Sequence, residues 1–104
     1  IEAGEETKIS AIRELEEETG YRAEEESVTK LISIITAVAF CNEVVDIYVA
    51  DKLVKTSQHL DEEENINVEV YTLEEIKCMI FDGTIKDSKT ISAVLAYSEL
   101  ISQK

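Results

Sequence analysis

The chain has 104 residues, with 23 acidic against 10 basic side chains and a formal charge of −13 at pH 7. That sign argues against nucleic acid as a partner, since a phosphate backbone calls for a basic face, and equally against an anionic membrane surface. The longest apolar run, residues 34–41, falls far short of the roughly 20 residues of a spanning helix, and residues 1–6 lack the basic start and apolar core of a secretory signal. A soluble, cytoplasmic chain is expected.

Hydrophobic residues make up 44% of the sequence, enough for a folded domain despite the charge. Tryptophan is absent, so the core must be built mainly from Ile, Val, Leu and Ala. Two cysteines, Cys41 and Cys78, are too few for a disulfide scaffold and form no metal-binding motif with the single His59. Both are expected to be buried free thiols.

Residues 6–19 are rich in strong helix formers and stop at Gly20, which predicts a first helix. At 100° per residue, Ile9, Ile12 and Leu15 fall on one side of it, and Glu14, Glu17 and Glu18 on the opposite side. Arg13 stands four residues before Glu17. Residues 24–26 are a solvated acidic run. Residues 28–40 are rich in β-branched side chains, and residues 43–53 alternate with Val45, Ile47 and Val49 on one side. Cys41 and Asn42 are expected to form the turn that pairs these two strands.

Residues 55–65 are polar and acidic, a predicted loop, and residues 67–71 read as a short strand. The sequence Thr72-Leu73-Glu74-Glu75 is a capping box that should open a helix to about Phe81, closed by Asp82 and Gly83. Asp87 or Ser88 then caps a last helix to about Ser102, with Ile91, Val94, Leu95 and Ser98 along one stripe. No repeat or linker divides the chain. It reads as one unit, in the order helix, strand, strand, short strand, helix, helix.

The chemistry is concentrated in Glu14, Glu17 and Glu18. Offsets of three and four residues set these carboxylates side by side on a helix, where like charges repel by a few tenths of a kcal/mol per pair. A divalent cation would reverse that sign. Hard cations such as Mg²⁺ take oxygen ligands and keep some of their water, which suits carboxylates on one helical face. A merely solvated acidic face would show the same spacing.

The wording around these residues separates the two. Residues 13–21 match the end of the Nudix box, G-x5-E-x7-R-E-U-x-E-E-x-G-U with U a bulky apolar residue, and Glu5 sits at its first Glu. The chain therefore resembles the Nudix hydrolases. Phe40-Cys41-Asn42-Glu43, the acidic stretch 60–64 and residues 83–90 further resemble the ADP-ribose pyrophosphatase branch.

The resemblance implies a fold of the α/β (α+β) class, an α/β/α sandwich. It implies hydrolysis of a nucleoside diphosphate linked to a second moiety, by water attack on a pyrophosphate phosphorus assisted by Mg²⁺, with Mn²⁺ as a substitute. Carried over by position, Glu14 and Glu18 are the principal metal ligands, Glu17 shares them, and Arg13 orients a box carboxylate. Glu64 matches a further ligand on the acidic loop and Glu62 a catalytic base. Glu43 matches a substrate contact, one that the second subunit of a dimer could supply. Metal ions in the cluster would also make the site locally cationic for an anionic diphosphate.

Two departures qualify these expectations. The Gly that opens the box would precede Ile1, and so would the first strands of the sandwich and much of the adenine pocket. The chain is thus expected to be a C-terminal part of such an enzyme, weakly active or inactive alone. Val38 and Ala39 also replace the Pro-Gly that this branch usually carries. Exposed sheet edges then suggest a homodimer, with strand exchange as one form of it. The rival reading is an inactive remnant serving as a binding or oligomerisation module.

Overall fold

In a computed structural model, the described residues are 3–38, 41–57 and 67–103. Helix α1 spans Ala3–Thr19, followed by strand β1 at Tyr21–Arg22, a short 3-10 turn at Glu25–Ser27, and strands β2 at Val28–Val38, β3 at Cys41–Ala50 and β4 at Val54–Lys55. Helices α2, Leu73–Phe81, and α3, Ser88–Ser102, complete the order. Mixed helices and small antiparallel sheets are the α/β class expected. Among the described residues no helix is long and apolar enough to cross a membrane.

The chain divides into two compact units, Ile1–Lys30 with Tyr48–Val68, and Leu31–Ile47 with Glu69–Lys104. In the first, α1 packs on β1, and β1 pairs antiparallel with β4, Tyr21 opposite Lys55 and Arg22 opposite Val54. The buried apolar residues of the described chain, Ala23 and Val28, both belong to this unit, as does buried Gly20. Gly20 has a φ of +77°, a left-handed conformation that a side chain would strain, and it ends α1 where the sequence predicted. Ile12, Leu15, Val28, Tyr48 and Leu53 line an apolar cavity of about 240 Å³ on the inner side of α1. Ile9 does not join them: it is 57% exposed, so the predicted apolar stripe covers only the second half of the helix.

In the second unit, the outer part of the β2–β3 ribbon is held by two cross-strand bonds. The Ser33 hydroxyl donates to Asp46 at 2.6 Å, and the Thr36 hydroxyl to Glu43 at 3.0 Å. Both pairs follow one register, which sets Ile35 opposite Val44 on the face opposite to Glu43. Cys41 and Asn42 lie inside β3, so the turn falls before them.

Helices α2 and α3 pack on each other, and each starts where its capping residues require. The Glu75 amide donates to the Thr72 hydroxyl at 3.1 Å, and the Thr72 amide donates back to the Glu75 carboxylate at 2.9 Å. These bonds hold the Glu75 carboxyl below the usual carboxylate range, the backbone bond from Thr72 contributing most. Asp87 accepts from the Thr90 amide at 2.8 Å and is lowered chiefly by that bond. The predicted strand at 67–71 is absent. These residues are in no regular element, with Val70 87% exposed. An extended segment becomes a strand only when a partner takes up its backbone groups, and β-propensity cannot replace that partner. Cys78 is exposed, correcting the expectation of a buried thiol. Its place on the solvent side of a two-helix pair is a tertiary matter that α2's own sequence does not fix.

Candidate functional site

Helix α1 carries four of the predicted site residues and fixes their relation by its own geometry. Arg13, Glu14 and Glu18 are exposed, and Glu17 is partly covered. The Arg13 guanidinium donates to the Glu17 carboxylate at 3.4 Å, with side chains 60% and 41% exposed. A bond that long and that wet adds little stability. It does hold Glu17 on the same side of the helix as Arg13.

The placement runs against local electrostatics. Glu17 and Glu18 sit in the last turn of α1, at the negative end of the helix dipole, and that turn holds no basic residue. Glu14 adds like charges at offsets of three and four. Helix α2 follows the opposite rule, with Glu74 and Glu75 in its first turn. Carboxylates gathered at the unfavourable end of one helix suit an external cation.

The donor chemistry of Glu14, Glu17 and Glu18 fits a hard divalent ion: exposed oxygens, with open solvent for the waters such an ion retains. Among the described residues, however, no three His, Cys, Asp or Glu side chains converge on a metal-sized point. Two carboxylates from neighbouring turns with water completing the shell is the set α1 can offer by itself. Glu62 and Glu64, expected as base and further ligand, lie outside the described residues, as does His59.

Glu43 lies in the second unit, exposed on β3 and hydrogen-bonded to Thr36. The bond fixes one carboxylate oxygen and leaves the other available to a ligand.

Two further residues tie α1 in place. The hydroxyls of Tyr48 and Thr7 lie 2.6 Å apart, joining β3 to the first half of the helix. Thr56 donates to the Gly20 carbonyl through both its amide and its hydroxyl, the latter at 3.0 Å. A lone Thr or Tyr carries no local sequence signal for such a role. The pairing of Tyr21 with Lys55 was the one route to Thr56, and two-residue strands leave no periodicity to read.

Comparison with known proteins identifies the family. The model of the NUDIX domain matches residues 1–94, and the chain belongs to that family. It is 42% identical over 96 residues to a protein of Bacillus methanolicus named Methanol dehydrogenase activator. It is 36% identical over 96 residues to the ADP-ribose pyrophosphatase of Bacillus subtilis (strain 168). Each alignment covers 90% of this chain and 51% of the relative, so the chain spans about half the length of the curated relatives it matches.

Proposed function

We propose that the protein is a Nudix hydrolase that cleaves the pyrophosphate bond of a nucleoside diphosphate sugar, with ADP-ribose, giving AMP and ribose 5-phosphate, as the leading substrate. The observation that carries this reading is the carboxylate group of α1, Glu14, Glu17 and Glu18 with Arg13 bonded to Glu17, placed at the negative end of the helix. The similarity to a protein named ADP-ribose pyrophosphatase supports the choice of substrate.

In this reading Glu14 and Glu18 hold Mg²⁺, or Mn²⁺ in its place, with Glu17 sharing it and Glu64 adding a ligand. The ion supplies charge neutralisation at the diphosphate and acidifies water. Arg13 orients the carboxylate of Glu17, to which it is bonded. Glu62 takes the proton of the attacking water, and Glu43 accepts a hydrogen bond from the substrate. The assembly we assign is a homodimer. The exposed Ile35 and Val44, 70% and 66% accessible and opposite one another on the ribbon, support it.

The test is AMP formation from ADP-ribose with Mg²⁺, followed by chromatography, for the protein and its Glu18→Gln variant. Loss of a ligand should cost at least about 100-fold, the upper end of a supporting-residue effect. Measurable turnover that is equal in the two proteins would dismiss the assignment. A second reading, regulation of another enzyme without turnover, draws on the relative named Methanol dehydrogenase activator. An effect on a partner dehydrogenase that survives Glu18→Gln intact would favour it.

A further inference from the structure

The last turn of α1 carries Glu17 and Glu18, so whatever fixes that turn fixes the direction of two of the three carboxylates. A helix end leaves carbonyls without partners in its own ladder. Here the Gly20 amide donates to the Glu16 carbonyl at 2.9 Å. The Thr19 hydroxyl donates to the Leu15 carbonyl at 2.6 Å and accepts from the Tyr21 amide at 3.1 Å. These bonds are local and would travel with the helix if it rotated.

The bonds from Thr56 are different. They reach the Gly20 carbonyl from 36 residues away, and they come from one residue through two donors, its amide and its hydroxyl. Gly20 is buried and Thr56 half-buried, so water competes weakly for that carbonyl. The neighbouring β1–β4 ladder has just two residue pairs, Tyr21 with Lys55 and Arg22 with Val54. So short a ladder fixes orientation poorly by itself. The amide bond of Thr56 continues the ladder, and the hydroxyl adds a second line of attachment that opposes rotation of the helix end.

We propose that Thr56 is a positioning residue for the carboxylate helix: through Gly20 it fixes the last turn of α1, so cation affinity at Glu14, Glu17 and Glu18 depends on the Thr56 hydroxyl. The inference rests on the metal-dependent reading above. Thr56→Val removes the hydroxyl and keeps the amide bond. Thr56→Ser keeps both. Thr56→Ala removes the same hydroxyl with no added apolar bulk and serves should the valine variant fail to fold.

The experiment is a titration of the protein with Mn²⁺ alone, free Mn²⁺ being read by electron paramagnetic resonance, with thermal melts in EDTA alongside. Glu18→Gln is the control for the site. Thr56→Val should bind Mn²⁺ roughly tenfold more weakly, as removal of an orienting partner does. Thr56→Ser should bind like the parent, and all Thr56 variants should melt within a few degrees of it. Thr56→Val binding as tightly as the parent, while Glu18→Gln binds weakly, overturns the positioning role and leaves the metal site standing. A serine variant as weak as the valine one overturns it too, as does an affinity loss that follows the melting temperature. If Glu18→Gln binds Mn²⁺ like the parent, the metal reading fails, and this inference with it.

Discussion

Neutralising Glu14 should stabilise the metal-free protein and destabilise it, relative to the parent, once Mg²⁺ is present. On α1, Glu14 meets Glu17 three residues on and Glu18 four residues on. Each like-charged pair opposes the helix by about 0.2–0.5 kcal/mol, so Glu14→Gln should recover about 0.4–1 kcal/mol from the two pairs. Glu and Gln have nearly equal helix propensity, so the difference is electrostatic. In a domain of this size 1 kcal/mol corresponds to about 4–8 °C, and the variant should melt roughly 2–8 °C higher in EDTA at low salt. The increment should shrink at ~1 M salt, where screening acts within about 3 Å. Mg²⁺ at a hundredfold excess over its dissociation constant then adds about 2.7 kcal/mol to the parent. A variant lacking a ligand gains little of this, so the order of melting temperatures inverts. Calorimetric melts of both proteins, with and without Mg²⁺, decide it. The same order in both conditions would mean that the three carboxylates are a solvated face and nothing more.

Other perturbations address the second unit. Thr72→Ala removes the acceptor for the Glu75 amide and half of a reciprocal pair. It should cost about 1 kcal/mol in urea unfolding, and a cost near zero would show that α2 does not depend on its cap. Glu75, Asp82 and Asp87 all have folded-state carboxyls below their ordinary values, through bonds from Thr72, Thr84 and Thr90 respectively. Their contribution is therefore complete above the unfolded carboxyl range and lost as pH falls through the folded one. Helical circular dichroism should hold level from pH 7 to about 5 and decline below about 4. Glu75→Gln with Asp87→Asn should flatten that decline, and an unchanged acid midpoint would refute the assignment. Ile35→Lys with Val44→Glu should shift sedimentation from dimer to monomer if the exposed face of the ribbon joins two copies. An unchanged sedimentation coefficient would rule that face out.

What the sequence made legible follows from how local each feature is. Glu14, Glu17 and Glu18 could be set side by side because a single helix fixes their spacing, and Gly20 marked its end. The Thr72 capping box was equally readable, and the Asp87 cap was one of two neighbouring candidates, since each closes within three residues. The long strands were legible from their β-branched content, whereas the position of their turn was not, because register depends on the partner. Residues 67–71 show the same limit. Val68 and Val70 alternate as a strand would, yet they are 44% and 87% exposed where no ladder forms. The β1–β4 pair and the Thr56 bonds to Gly20 join segments more than thirty residues apart with two-residue strands, too short to leave a pattern. Of the site, the part borne by one helix was readable. Its relation to Glu43 depends on how separate parts of the fold come together, which spacing along the chain cannot encode.

The charge of −13 makes acidic residues a poor signal by themselves, since a chain with 23 of them will place some together by chance. Their position relative to helix ends is more informative. In α2 the acids Glu74 and Glu75 occupy the first turn, where the dipole favours them. At α3 the N-cap Asp87 is bonded to the Thr90 amide, while Glu99 stands in the last turn with Gln103 bonded to it. Lys77 pairs with Glu74 at 3.5 Å, one turn toward the C-terminal end of α2. Helix α2 puts charge where its backbone wants it, and Glu99 of α3, which does not, is a single carboxylate with a local amide partner. Helix α1 gathers Glu17 and Glu18 in its last turn, with Arg13 paired to Glu17. Folding alone would favour Lys or Gln at those places, which supports the cation site proposed for them. On the proposed reading, an anionic diphosphate would meet a surface that repels it, and its approach would become favourable only where cations had collected. Raising Mg²⁺ at constant ionic strength should therefore strengthen substrate binding as well as turnover. Substitution of Mg²⁺ by a monovalent salt of equal ionic strength should reproduce neither effect.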